Sequence, residues 1–394
     1  MNIPERIAKI YLKNLFANSA DEIENENKFF QNLLSKGVSK NSILIIEPNN
    51  CHSECLPSYV RYFLQAGFNV DVFISEKNMK ENSFINSKFP NDRFRMFSFK
   101  KLYSLPSFFE FLNNYKYILI ASLTYFGAIN QDYGYYVRLL KENYLEKYNK
   151  NNLYLISHEV DYTEQTAEME EYYKDKTFVL RPNIRKGSMT KDFPFIVPTY
   201  FGEFGDLSKD KRENYAKFLC IGGAYKKNLR NYDTLLSTIK SLSINYANQF
   251  ELIYVGNPDK DFEEKVKLNN VNIRFTGRVN FADLYKYVIE TDFILYNIDK
   301  NSVEYERYLN KKISGSYSLS LGFLRPGIID SKLAKAYDLD NCAITYSDEK
   351  LYEAMEKAIK LKNNEYAEME KHLNELNNTL RNDSLMNIKE HFNA

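Results

Sequence analysis

Short apolar runs alternate with amphipathic stretches along most of this chain, and that alternation predicts its elements. Ile7, Ile10, Tyr11, Leu15 and Phe16 recur at helical spacing, as do Phe29, Phe30, Leu33 and Leu34, so residues 1–40 read as helical. The pattern then changes. Ser42-Ile-Leu-Ile-Ile46 is a continuous apolar run closed by Glu47-Pro48-Asn49-Asn50, which predicts a buried strand stopped by turn residues. A helix is predicted from Pro57, suited to a first turn, to Gly67, suited to a C-cap. Asn69–Ile74 is the next strand. Strand, helix, strand in this order signals a parallel sheet with a crossover helix. Further strands are predicted at Phe94–Phe99, Tyr117–Ala121, Leu153–Ser157 and Thr177–Leu180.

The alternation pauses near residues 198–214, a stretch with two glycines and a charge run, and then restarts. Phe218–Ile221 is a strand ending in Gly222-Gly223, Phe250–Val255 one ending in Gly256, and Val271–Phe275 one ending in Gly277. Helices are predicted at Asn231–Leu242 and Ala282–Glu290, and a further one starts at Ser316. Strands follow at Phe293–Tyr296, Gly327–Ile329 and Cys342–Tyr346, and a charged amphipathic helical region begins at Lys350. The expected organisation is an N-terminal helical arm (1–40), a Rossmann-like domain (41–200), a linker (201–216), a second Rossmann-like domain (217–350) and a C-terminal helical segment (351–394). Open parallel sheets bind ligands at the carboxyl ends of their strands. Two such sheets facing each other would put a site in a central cleft.

Composition narrows the function. Two domains fit 394 residues. Lys+Arg is 53 and Asp+Glu 52, a balance that argues against a dedicated nucleic-acid binder. There are 32 Tyr and 28 Phe but no Trp. Codon bias in an AT-rich bacterial genome is the main expected cause, and a tyrosine-bearing surface for sugar or lipid headgroups is the alternative. Lys100-Lys101, Tyr133–Tyr136 and Tyr172-Tyr173 are its candidate patches, and Arg181-Pro182-Asn183 and Tyr200 would line the cleft or pack the linker. The four cysteines are irregularly spaced, as reduced thiols are. No secretory signal and no apolar run of about 18 residues is present, so a cytoplasmic protein is expected. GxxxxGK[ST], GxGxxG after the first strands, HExxH and GxSxG are all missing, which removes P-loop, dinucleotide, zincin and hydrolase readings. Cys51-His52-Ser53-Glu54-Cys55 holds metal-competent side chains without a second cluster, so no metal is expected.

Phe218-Leu-Cys-Ile-Gly-Gly-Ala-Tyr-Lys-Lys-Asn228, then Phe250–Gly256, Val271–Val279 and Thr291–Leu295, then Ile313-Ser-Gly-Ser-Tyr-Ser-Leu-Ser-Leu-Gly-Phe-Leu-Arg-Pro-Gly-Ile-Ile329 resemble, in order and spacing, the nucleotide-sugar half of GT-B glycosyltransferases of the family-4-like (group 1) type. The resemblance covers residues 217–350 well and 42–160 weakly. It implies an α/β GT-B fold, a nucleotide-diphosphate sugar as donor, and a glycan or lipid-linked acceptor in bacterial surface-glycan synthesis. It also implies that Val279, in the loop with Gly277, meets the base through its main chain. The physics agrees. Ser314, Gly315 and Ser316, followed by Tyr317, precede an apolar helix and offer N–H groups at the positive end of its dipole. Gly222 and Gly223 would let the backbone approach a phosphate closely, and Lys226 or Lys227 beside Asn228 adds cationic charge for the leaving diphosphate. Each of these also reads as an ordinary cap, turn or solvated charge. No cofactor is expected. One departure stands out: the family-4 group carries two glutamates seven residues apart around this helix, whereas here the helix has no acid and Glu304 and Glu306 lack that partner.

In the first half, His52 and Glu54 follow the first strand, and His158 and Glu159 follow a later one, both at predicted carboxyl ends. A histidine beside a carboxylate suits a general base near neutral pH. These four are the catalytic candidates, with strand-end packing the other reading of each. The same architecture also accommodates a nucleotide-sugar 2-epimerase, which needs several acids and histidines, or a non-catalytic binding protein of a glycan pathway. A lipid-linked acceptor would bring peripheral association with the inner face of the cytoplasmic membrane. The sequence leaves the oligomeric state open.

Overall fold

A computed structural model describes residues 19–48, 52–99, 106–123, 140–158, 175–183, 193–209, 213–222, 229–269, 271, 273–347 and 350–393. The chain divides into two compact units, one of residues 1–200 with 383–394 and the other of residues 201–382. The first unit holds β1 (Ser42–Glu47), β2 (Asn69–Ser75), β3 (Phe94–Phe99), β4 (Tyr117–Leu123), β5 (Leu153–Ser157) and β6 (Thr177–Val179) in the order β3-β2-β1-β4-β5-β6. The second holds β7 (Ala216–Ile221), β8 (Phe250–Val255), β9 (Ile273–Gly277), β10 (Phe293–Leu295), β11 (Gly327–Asp330) and β12 (Ala343–Tyr346) in the order β12-β11-β10-β7-β8-β9. All these pairings are parallel. In both sheets the first strand of the unit lies beside the fourth. The order of connection reverses there, and that is where doubly wound sheets form their ligand crevice.

The sequence dictates this locally. Every residue of β1 is buried, as a central parallel strand covered by helices on both faces requires. Ile43 pairs with Val70 on one side and Tyr117 on the other. Pro57 opens the Leu56–Gln65 helix, whose Tyr59, Val60 and Phe63 are fully buried. Gly67 follows it at a φ of +92°. Two short helices, Tyr305–Asn310 and Ser331–Ala336, were not legible because neither is long enough to show a period.

Many of the aromatics among the described residues belong to the core. Nine tyrosines are among the largest fully buried side chains, including Tyr62, Tyr296 and Tyr366. Several of their hydroxyls are hydrogen-bonded: Tyr62 donates to the Val197 carbonyl at 2.9 Å, Tyr366 to that of Asp292 at 2.9 Å, and Tyr296 pairs with Ser320 at 3.0 Å. Tyr200 and Arg181 are buried within the first unit, with Arg61 stacked 4.2 Å over the Tyr200 ring. The patches at Tyr133–Tyr136 and Tyr172-Tyr173, and Lys100-Lys101, lie outside the described residues.

The described residues of the segments expected as arm, linker and tail pack into the two units. The Ala20–Ser35 helix is no free arm, because Phe30 is fully buried against Phe73, Phe108 and Phe111. The tail forms two helices, Leu351–Lys360 and Asn363–His391. The first seals the core of the second unit with Leu351, Met355, Ala358 and Ile359. After the last helix, Phe392 is fully buried in the first unit, 4.1 Å from the Tyr154 ring, 4.9 Å from Phe63 and 5.1 Å from Tyr117. Phe392→Ala is therefore expected to destabilise the first unit by about 3–5 kcal/mol. Denaturant unfolding should show it directly, and a loss under about 1 kcal/mol would contradict the plug role.

Residues 201–209 are likewise held down. Phe201 and Phe204 pack on Tyr285 and Phe323. The Leu207 carbonyl accepts from the buried Arg325 guanidinium at 2.8 Å, and Lys209 pairs with Asp292 at 2.9 Å. Glu370 completes this network, 3.3 Å from Arg325 and accepting from the Lys209 amide at 3.4 Å. Burial pushes the Glu370 carboxyl up to about 7, against the pull of the Lys209 amide and Arg325. A carboxylate raised in the folded state binds extra protons there, so its stabilising share is complete below about pH 4.5 and is lost as pH rises through about 7. Glu370→Gln should flatten that fall. Thermal unfolding at several pH values checks it, and an unchanged slope would contradict the assignment.

Candidate functional site

The crevice of the first unit gathers three of the four sequence-predicted catalytic candidates. His52 follows β1 and caps the Ser53–Cys55 turn at a φ of 67°, a left-handed conformation costly for a residue with a Cβ. His158 directly follows β5. The two rings meet, with centroids 4.3 Å apart and planes at 46°. His52 Nδ1 lies 3.5 Å from the Glu54 carboxylate. Glu159 lies outside the described residues.

The two histidines differ chemically. His158 is buried, and its Nε2 sits 3.3 Å from the Ala121 carbonyl. A carbonyl only accepts, so Nε2 carries the hydrogen and Nδ1 keeps the lone pair. Burial, and then the neighbouring His52, hold the His158 pKa well below 6.5, with the Ala121 carbonyl opposing them. His158 is thus a neutral, oriented imidazole. His52, part-buried beside a carboxylate, is the better proton acceptor.

The sequence reading missed a residue here. Glu47, the last residue of β1, is fully buried, and its Oε1 accepts from Ser122 Oγ at 2.5 Å across the β1–β4 junction. The Tyr59 hydroxyl is also buried and is pushed well above 10 by burial, then by Cys55, Glu47 and Glu54. The signal was there: Glu47 ends an otherwise apolar central strand at its carboxyl edge. Beside Pro48-Asn49-Asn50 the same residue reads as part of a strand stop.

In the second unit, three glycines lock the carboxyl ends of β7, β8 and β9 together. The Gly222 amide donates to the Val255 carbonyl at 3.0 Å, and the Gly256 amide to that of Gly277 at 2.9 Å. Gly256 has a φ of +120°, and a Cβ there would lie 2.0 Å from the Gly222 carbonyl oxygen. Gly222 leaves space that the Arg230 guanidinium occupies, since a Cβ on it would lie 2.6 Å from that group. Gly223, Lys226, Lys227 and Asn228 lie outside the described residues. Val279 is part-buried in the loop after β9, just before Asn280, which caps the Phe281–Glu290 helix.

Ser314 is the N-cap of the Gly315–Phe323 helix. Its Oγ accepts from the Ser316 amide at 3.3 Å, and its own amide donates to Tyr337 Oη at 3.2 Å. Gly315 is exposed with open space where a side chain would stand, while Ser316 is buried. Tyr317 departs from expectation: it is 1% exposed and packs on Tyr337 at 5.0 Å, so it belongs to the core and not to the helix terminus. Glu304, which lacked an acidic partner in the sequence, instead pairs with Lys312 at 2.6 Å and Arg307 at 2.8 Å. Lys312 Nζ also sits 4.4 Å over the Tyr308 ring, so a held cation stands just ahead of the Ser314 cap. Among the described residues, no three His, Cys, Asp or Glu side chains assemble as a metal set, and no helix is long and apolar enough to cross a membrane.

No family model and no curated protein matches the chain. Solved structures do. The Anabaena protein HepE, solved with UDP and glucose, matches with a TM-score of 0.53 at 10% identity, over 89% of this chain and 97% of that one. A candidate UDP-N-acetylglucosamine 2-epimerase from Listeria monocytogenes matches with a TM-score of 0.52 at 11% identity, over 90% and 97%. An α-glucosyltransferase solved with UDP and a 13-mer DNA matches with a TM-score of 0.50 at 11% identity, over 90% and 96%. With its two doubly wound parallel sheets, the chain has the GT-B fold of glycosyltransferases.

Proposed function

We propose that this protein is a glycosyltransferase that moves a sugar from a nucleotide-diphosphate donor to a glycan or lipid-linked acceptor of a bacterial surface polysaccharide. The observation that carries the reading is the His52–Glu54 pair at the crevice of the first sheet, backed by the neutral His158. In this reading, His52 takes the proton of the acceptor hydroxyl, Glu54 holds its ring and offsets its developing charge, and His158 orients the reacting groups through Nδ1. The second unit binds the donor. The diphosphate sits at the Ser314–Gly315 helix terminus, where the exposed glycine leaves room and the dipole favours negative charge. Lys226, Lys227 and Asn228 add charge and hydrogen bonds, and the Gly277–Val279 loop meets the base. No metal ion is required if helix terminus and cations carry the leaving charge. The protein works in the cytoplasm, at the inner face of the membrane when its acceptor is lipid-linked.

The test is nucleoside diphosphate release from a panel of nucleotide sugars, with and without glycan and lipid-linked acceptors. Acceptor-dependent release is the expected result. Conversion of a UDP-hexosamine to its 2-epimer without acceptor would make the protein an epimerase. No turnover with any donor, together with no nucleotide binding, would leave a binding protein.

A further inference from the structure

The amino edge of the first sheet holds a cavity of about 350 Å³, at the opposite end of the strands from the His52 crevice. Ser42 and Asn69 open β1 and β2 and pair with each other. Arg93 stands just before β3, and its carbonyl accepts from the Val70 amide at 2.8 Å. Along β1, Ser42 and Glu47 lie about 16 Å apart at the usual strand rise, so the cavity is separate from the crevice. Its volume is that of a small-ligand pocket, a class that begins near about 300 Å³. Among the described residues that line it, Val38 is the one large apolar side chain, which favours a hydrophilic occupant.

The charges inside the cavity decide its sign. Asp71 is 4% exposed and fully engaged: Arg95 grips both its oxygens, at 2.8 and 2.6 Å, and the Tyr115 hydroxyl donates to it at 2.5 Å. The remaining Arg95 nitrogen donates to the Gly37 carbonyl at 3.3 Å. Arg93 closes the end of the Leu56–Gln65 helix, donating from one terminal nitrogen to the Leu64 carbonyl at 2.9 Å and the Phe68 carbonyl at 2.7 Å. Helix-end carbonyls repel an anion, and these bonds take them up. That task uses one nitrogen of Arg93. Its Nε and second terminal nitrogen have no partner among the described residues, and neither has the Lys36 ammonium. The exposed Asp92 is the one opposing charge on the lining that Arg95 does not neutralise. Ser39 Oγ accepts from the Asn69 amide at 2.7 Å and keeps its own proton to donate. We infer that this cavity is a second binding site, for a small hydroxylated anion of the sugar-phosphate class. The phosphate meets the open edge of Arg93 and Lys36, and the sugar hydroxyls meet Ser39 and Asn69. The inference stands independently of the proposed function.

The experiment titrates the full chain with glucose 6-phosphate, glucose and inorganic phosphate by calorimetry, and records the melting temperature of each free protein. It compares the wild type with Arg93→Gln, Lys36→Glu and Lys40→Glu. One glucose 6-phosphate per chain is expected, held at least about tenfold more weakly by Arg93→Gln and by Lys36→Glu. Lys40→Glu reverses an exposed charge close by in sequence but off the lining, so it should bind as the wild type does. Arg93→Gln gives up a helix-end clamp and should melt lower. Lys36→Glu alters an exposed side chain and should melt with the wild type, so it carries the test even if Arg93→Gln does not fold. The inference is overturned if the wild type does not bind glucose 6-phosphate, or if Lys36→Glu binds it within about twofold of the wild type. Equal losses in Lys36→Glu and Lys40→Glu also overturn it, since general charge attraction then accounts for the binding. Inorganic phosphate bound as tightly as glucose 6-phosphate would support the anion site and overturn its sugar part, and glucose bound as tightly would overturn the anion part.

Discussion

Gly256→Ala is expected to destabilise the second unit strongly. The methyl would stand 2.0 Å from the Gly222 carbonyl oxygen and 2.8 Å from its carbon. Both obstacles are backbone, so no rotamer change relieves them. The backbone is pinned at that point by the parallel pairing of β7 with β8 and by the Gly222–Val255 hydrogen bond. The φ of +120° adds a conformational cost that any Cβ incurs. Overpacking and backbone strain each cost about 1–3 kcal/mol, and together they consume much of a typical domain's margin of about 5–15 kcal/mol. Gly277→Ala is the control. It has a φ of +68° but only an ordinary contact at 3.9 Å, so it should cost about 1–2 kcal/mol. Calorimetric unfolding separates the two. A Gly256→Ala protein melting within about 2 °C of the wild type would show that the glycine lock does not hold these strands together.

The second large effect concerns rate. His52→Asn and Glu54→Gln are each expected to lower glycosyl transfer by about 10²–10⁴-fold. Asparagine is chosen at position 52 because it tolerates the left-handed backbone there, so the imidazole is lost without new strain. Both variants should melt close to the wild type. The wild-type pH–rate profile should fall on the acidic side as the base becomes protonated, and His52→Asn should lose that limb. His158→Gln should lower the rate while leaving the limb in place, because burial and then His52 hold His158 well below the ordinary histidine range. If His52→Asn transfers sugar at the wild-type rate, proton abstraction lies elsewhere in the protein.

Much of this was legible in the sequence, for identifiable reasons. The strands at Ser42–Glu47 and Ala216–Ile221 announce themselves because central parallel strands are apolar on both faces. Strand-end glycines and the Ser314 cap are local signals and stand where they were expected. His52 and His158 were each read as strand-end residues. Their meeting was not readable, because it depends on β5 lying one strand from β1 across β4. Glu47 was missed for the same kind of reason, since it closes an ordinary strand and gains meaning only from the Ser122 that the strand order brings next to it. Tyr317 was misjudged because adjacency to a helix N-terminus says nothing of which way the next side chain points. The linker and tail are marked in the sequence by charge and the arm by a helical period before the first strand, yet Phe30, Arg325 with Glu370, and Phe392 tie their described parts into the cores.

The central claim is that the second unit binds a nucleoside diphosphate at its glycine-rich, donor-lined edge. Isothermal titration of the wild-type protein with UDP, set beside UMP and the other nucleoside diphosphates, tests it most directly. One site per chain is predicted, with one diphosphate held at least about tenfold more tightly than its monophosphate, because the second phosphate meets the Ser314–Gly315 helix terminus. Titrations without heat for every nucleoside diphosphate, or equal affinity for mono- and diphosphate, would contradict it.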